Sequence, residues 1–159
     1  MITCKLMLCA RGVIRDVATE TISAYSILES ISPIGFPILI QDFNVLLFLT
    51  REKRDPANIE FNLHLRIDGE DMGPPLQVKA DFQDKSKNRC IVKIEGLFIA
   101  KPGTFSVDAH YGNKKLSSFE MEVAPAPPHV MASQDSVEPT TRKQLVKFRR
   151  RKNKIGVRS

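Results

Sequence analysis

Residues 61–68 alternate without a break, Phe61, Leu63, Leu65 and Ile67 apolar against Asn62, His64, Arg66 and Asp68 polar. A period of two places one set of side chains on a buried face and the other in water, which predicts a half-buried strand. Leu76, Val78, Ala80 and Phe82 repeat the pattern with Gln77, Lys79 and Asp81 between them. The intervening stretch, Asp68-Gly69-Glu70-Asp71-Met72-Gly73-Pro74-Pro75, is rich in turn formers and acids, so the two runs are expected to pair as an antiparallel hairpin. A further strand is predicted over 90–95. After the turn signal Lys101-Pro102-Gly103, Phe105, Val107, Ala109 and Tyr111 alternate with Ser106, Asp108 and His110. Gly112-Asn113-Lys114 then leads into Phe119, Met121 and Val123 alternating with Glu120 and Glu122, a second hairpin.

The first third is less regular. Residues 3–8 and 12–16 are two extended candidates. Residues 21–32 nearly keep a helical spacing through Ile22, Tyr25 and Leu28, but β-branched Ile22, Ile27 and Ile31, frequent Ser and Thr, and the lack of a capping signal favour strand. Residues 36–50 are almost continuously apolar apart from Gln41, Asp42 and Asn44. They predict a long central strand, kinked or bulged near Asp42 and covered on both faces. Seven or eight strands with no alternating helices point to an all-β fold, a two-layer antiparallel β-sandwich of immunoglobulin-like or C2-like type over residues 1–124. Pro125-Ala126-Pro127-Pro128 cannot supply a full set of ladder donors, so residues 125–141 read as a proline-rich polar linker and 142–159 as a disordered basic tail.

With those elements in place, residues 3–123 resemble a bacterial family known only as a domain of unknown function. The resemblance rests on an opening strand, an Arg-Asp bend, the run Ile22-Ser23-Ala24-Tyr25-Ser26-Ile27-Leu28-Glu29 and the pair Phe36-Pro37. It implies a short β-sandwich and a bacterial origin, and it brings no functional residues with it.

Composition adds a core and a polarity. A chain of 159 residues suits one compact domain, and 42% apolar with 26% charged residues is enough to bury a core. With no Trp and 7% aromatics, aliphatic side chains must fill most of it. All 18 acidic residues lie in 1–141, whereas nine of the 24 basic residues fall in 142–159. A tail of cations without counter-charge is drawn to polyanions. No secretory leader is evident, and the run Val45-Leu46-Leu47-Phe48-Leu49 is far short of the roughly 20 residues of a membrane-spanning helix, so a cytoplasmic protein without a transmembrane segment is expected.

The search for chemistry yields little. A hydrolase nucleophile needs a serine or cysteine beside a base, and no glycine-flanked elbow is present. His64 and His110 fall on polar strand faces and read as solvated residues, becoming neighbours only if their strands pair, while His129 lies in the linker. Cys4, Cys9 and Cys90 lack zinc-ligand spacing and read as buried thiols, with Cys4 and Cys9, five apart, on opposite faces of a strand. The acidic run at 68–71 reads as a hairpin tip rather than a calcium loop. No phosphate loop or dinucleotide fingerprint appears, so no cofactor, metal or catalytic residue is assigned. The remaining candidates, Arg142, Lys143, Lys147, Phe148, Arg149, Arg150, Arg151, Lys152 and Lys154, suit polyanion binding, with the ring of Phe148 available to stack on a base. These features predict a non-enzymatic interaction protein: the sandwich binds a protein partner and the basic arm steers towards a polyanion. The competing expectations are a nucleic-acid-binding accessory protein that holds RNA or DNA through the tail, and an enzyme with a site assembled from loops.

Overall fold

The computed structural model describes residues 1–128. These contain no α-helix and ten strands: β1 (Thr3–Arg15), β2 (Ile22–Ile27), β3 (Ser30–Ile31), β4 (Ile38–Thr50), β5 (Asn58–Ile67), β6 (Glu70–Asp71), β7 (Leu76–Asp81), β8 (Lys87–Ile99), β9 (Gly103–Tyr111) and β10 (Lys114–Val123). One sheet has the order β2-β1-β4-β8. The other runs β3-β10-β9-β5-β6, with β7 also paired to β5. All pairs are antiparallel except β3 with β10.

The two sheets bury the residues that the alternation marks as apolar. Phe43, Val45 and Leu47 of β4 pack with Phe61 and Leu63 of β5 and Phe105 and Val107 of β9, each almost wholly buried. The rings of Phe43 and Phe105 meet edge to face, 5.5 Å between centroids, and tie one sheet to the other. Each large side chain so buried contributes about 1.5–3 kcal/mol against exposure. The result is the all-β sandwich expected from the periodicity, including the hairpins β5–β7 and β9–β10. The chain stays attached just beyond β10, where the amides of Ala124 and Ala126 donate to the carbonyls of Ile31 and Pro33.

Three local departures from simple alternation matter. The two extended candidates of the first third are one strand, β1. Between Cys4 and Leu6 its register shifts at Lys5, a bulge that resets the alternation. Cys4 and Cys9 therefore both face the core, not opposite faces as a regular strand would have them. In β4 the alternation breaks near Asp42: the Gln41–Gly96 pair is missing from the β4–β8 ladder while the register is the same on both sides, and Ile40 and Phe43, three apart, are both buried. The third departure is the β1–β2 hairpin. Its turn carries Glu20, which meets Lys85 at 3.4 Å and accepts through its carbonyl from the guanidinium of Arg89 on β8. Since β2 and β8 are opposite edges of their sheet, this contact requires the hairpin to fold back over the outer face. Leu46 and Ala10 lie outside the core cluster and yet are buried.

Candidate functional site

Pairing of β5 with β9 sets His64 opposite Asp108 and Asn62 opposite His110, so the strands of the two histidines are neighbours. Their rings lie edge to face with centroids 5.2 Å apart. They are not the freely solvated residues that the polar face suggests: both are half-buried, and Nε2 of His110 is enclosed without a hydrogen-bond partner.

Around them the even positions of β5 and β9 build a charged ladder. Arg66 donates from Nε to Asp71 of β6 at 2.7 Å and from Nη1 to Asp108 of β9 at 2.8 Å. Asp108 is buried and also receives Lys115 Nζ at 2.7 Å and the hydroxyl of Ser118, both from β10. Burial pushes the Asp108 carboxyl up, but hydrogen bonds from Lys115 and Ser118 and the charges of Lys115 and Arg66 outweigh it and hold the group below the usual carboxylate range. The hydrogen bond from Arg66 does the same for Asp71, helped by its charge and by His64, whose Nδ1 stands 3.7 Å away. Every carboxylate in the ladder is matched by cations from neighbouring strands. The hydroxyl of Ser118 is engaged by Asp108 and not by an imidazole, so the serine and base are not arranged as an activated nucleophile. The arrangement clamps β5, β6, β9 and β10 together. Arg66, Asp71, Asp108 and Lys115 carry it; the only sequence signal was that Arg66 and Asp108 fall on the polar faces of their strands, uninformative until the strand order is known.

The thiols are inert by environment. Burial pushes Cys9 up to about 12 and Cys90 up to about 11, and raises Cys4 as well. All three are free.

The sandwich also presents a groove of about 550 Å³ where β4 begins, lined by Tyr25, Leu28, Ile31, Pro33, Ile38 and Leu39 and in similar measure by polar residues, among them Arg11, Ser30, Gln41 and Asp42. Leu39 is 60% exposed, and its partner across β8, Phe98, is 56% exposed; Tyr25 is 56% exposed. Aromatic and branched side chains that remain this open at one end of a sheet form a patch suited to partner contact. Neither the groove nor its rim was marked in the sequence, because Leu39 sits within an apolar run read as covered on both faces and Phe98 lies beyond the strand predicted over 90–95.

No protein-family model matches the chain, and no curated protein sequence matches it. Among the described residues no helix is long and apolar enough to cross a membrane. The basic candidates Arg142, Lys143, Lys147, Phe148, Arg149, Arg150, Arg151, Lys152 and Lys154, together with His129, lie outside the described residues.

Proposed function

We propose that this is a non-enzymatic interaction protein of the bacterial cytoplasm, in which the sandwich binds a protein partner and the basic arm steers the molecule towards a polyanion. The observation that carries this reading is the groove bounded by Tyr25 and Leu39, continued across the sheet by Phe98, in a molecule whose charged side-chain ladder is internally neutralised. Aromatic and aliphatic anchors at the centre of a polar rim are the residues that dominate protein interfaces. The arm adds cations without counter-charge, a means of accelerating encounter with an acidic surface.

The test is affinity capture from native cells with and without nuclease, using the wild-type chain and a Leu39→Ser/Phe98→Ser variant. Both positions are exposed, so the variant is expected to keep its fold. A protein retained after nuclease and lost with the double substitution supports the reading. Partners that vanish with nuclease and ignore the double substitution transfer the function to nucleic-acid binding.

A further inference from the structure

At the opposite end of β4 from the groove, where β8 begins, a cleft of about 700 Å³ opens between the end of the sheet and the tip of the folded-back β1–β2 hairpin. Five cations line it, Lys5, Arg15, Lys85, Lys87 and Arg89, against two carboxylates, Glu20 and Asp81. The concentration is notable because acids outnumber bases over residues 1–141.

The fold delivers these charges from separate elements. Lys5 is the residue displaced by the β1 bulge, Arg15 is the last residue of β1, and Lys87 and Arg89 share one face of β8. Two of the five have structural partners: Lys85 pairs with the Glu20 carboxylate, and Arg89 donates to the Glu20 carbonyl while lying over the ring of Phe48 at 5.8 Å. The Asp81 carboxylate accepts from the backbone amide of Gln83, two residues on. Among the described residues Lys5, Arg15 and Lys87 make no ion pair. Like charges gathered round a concavity raise its positive potential and attract an anion. Two wall residues, Glu20 on the hairpin and Gln83 in the facing loop, also adopt left-handed backbone at φ of 54° and 46°. Non-glycine residues in that region cost energy and gather at ligand sites.

We propose that this cleft binds the phosphate backbone of a single-stranded nucleic acid. Lys5, Arg15 and Lys87 neutralise successive phosphates, and the Arg89 guanidinium over Phe48 offers a planar platform for a base. Asn88, Gln83 and Ser86 add amide and hydroxyl groups for phosphate or base edges. Several cations from different elements fit a chain of separated phosphates better than one compact anion, and the arginine-covered ring of Phe48 favours an unpaired base over a duplex. The residues lining this site are shared neither with the groove at the start of β4 nor with residues 142–159.

Fluorescence anisotropy with a labelled oligouridylate, its deoxy counterpart and a duplex of equal length, at two salt concentrations, tests it on the full chain. Lys5→Gln/Arg15→Gln/Lys87→Gln is expected to weaken single-strand binding about tenfold or more and to flatten the log–log salt slope by about two, as three phosphate contacts are lost. Phe48→Leu is expected to weaken single strands with little effect on duplex. Replacing Arg149, Arg150, Arg151 and Lys152 by Gln separates the arm: the cleft's contribution persists in that background and disappears when the triple substitution is added. A triple variant that melts like the wild type and binds equally well overturns the proposal, as does binding lost entirely with the arm. Preference for a polyglutamate peptide over single strands also overturns it and makes the cleft a protein contact.

Discussion

Asp108 shows how a polar residue on a strand face becomes part of the architecture. It is 5% exposed and receives Arg66, Lys115 and Ser118, so its charge is compensated from two neighbouring strands. Asp108→Asn keeps the shape and removes the charge, leaving Lys115 without its carboxylate and Arg66 with Asp71 alone; a loss of about 1–3 kcal/mol at pH 7 is expected. Because the folded carboxyl lies below its ordinary value, the stability it lends is complete above about pH 4 and fades as pH falls through the folded value. Urea melts of wild type and variant should therefore converge between pH 7 and pH 2. A gap of constant size would mean that Asp108 does not act through its charge. None of this was legible from residue 108 itself: its polar neighbours Ser106 and His110 predict a wet face, and only the positions of Arg66 and Lys115 across the ladder turn that face into a buried ion cluster.

At the level of single elements, alternation was a dependable guide where strands are regular. Phe61 to Ile67 and Phe105 to Tyr111 pair with the expected faces inward because one side of each is committed to the core. It failed where alternation breaks. The bulge at Lys5 turned Cys4 inward, since one added residue exchanges the two faces, and the unpaired Gln41–Gly96 position separates Ile40 and Phe43, both inward, from Leu39 and Phe98, which stay on the surface. The folded-back β1–β2 hairpin was equally hidden. At its root the Tyr25 ring lies over Gly12: a Cβ there would come within 1.8 Å of the ring. Gly12→Ala must push the ring aside and is expected to cost about 1 kcal/mol, while in a Tyr25→Ala background the same change should be nearly neutral. A double-mutant cycle by thermal or urea melting checks this, and simple additivity would remove the close approach as the reason for the glycine.

For the molecule as a whole, stability resides in the interface between the sheets. Leu63 and Val107 are fully buried there, and Leu63→Asp or Val107→Asp places an unpaired charge among apolar side chains at a cost of several kcal/mol. Since domains of this size retain about 5–15 kcal/mol in all, either change should abolish the cooperative melt seen by circular dichroism. A folded Val107→Asp protein with a wild-type midpoint would show that the core lies elsewhere. The sandwich class was legible because strand period, turn residues and the absence of helical spacing agree. The order of strands, and with it the groove and the cleft, was not, because sequence spacing says nothing of which edges meet.

The pairing of β3 with β10 has a consequence for the order in which the molecule is made. Ile31 lies beside Val123, the last residue of β10, in the only parallel pair among the described residues. A chain emerging from the ribosome holds β3 long before its partner exists, and the apolar side chains of Ile31 and Leu28 wait uncovered until almost the entire sandwich has been synthesised. Closure of this edge thus waits for β10, and a chain interrupted before Met121 leaves β3 without its strand partner.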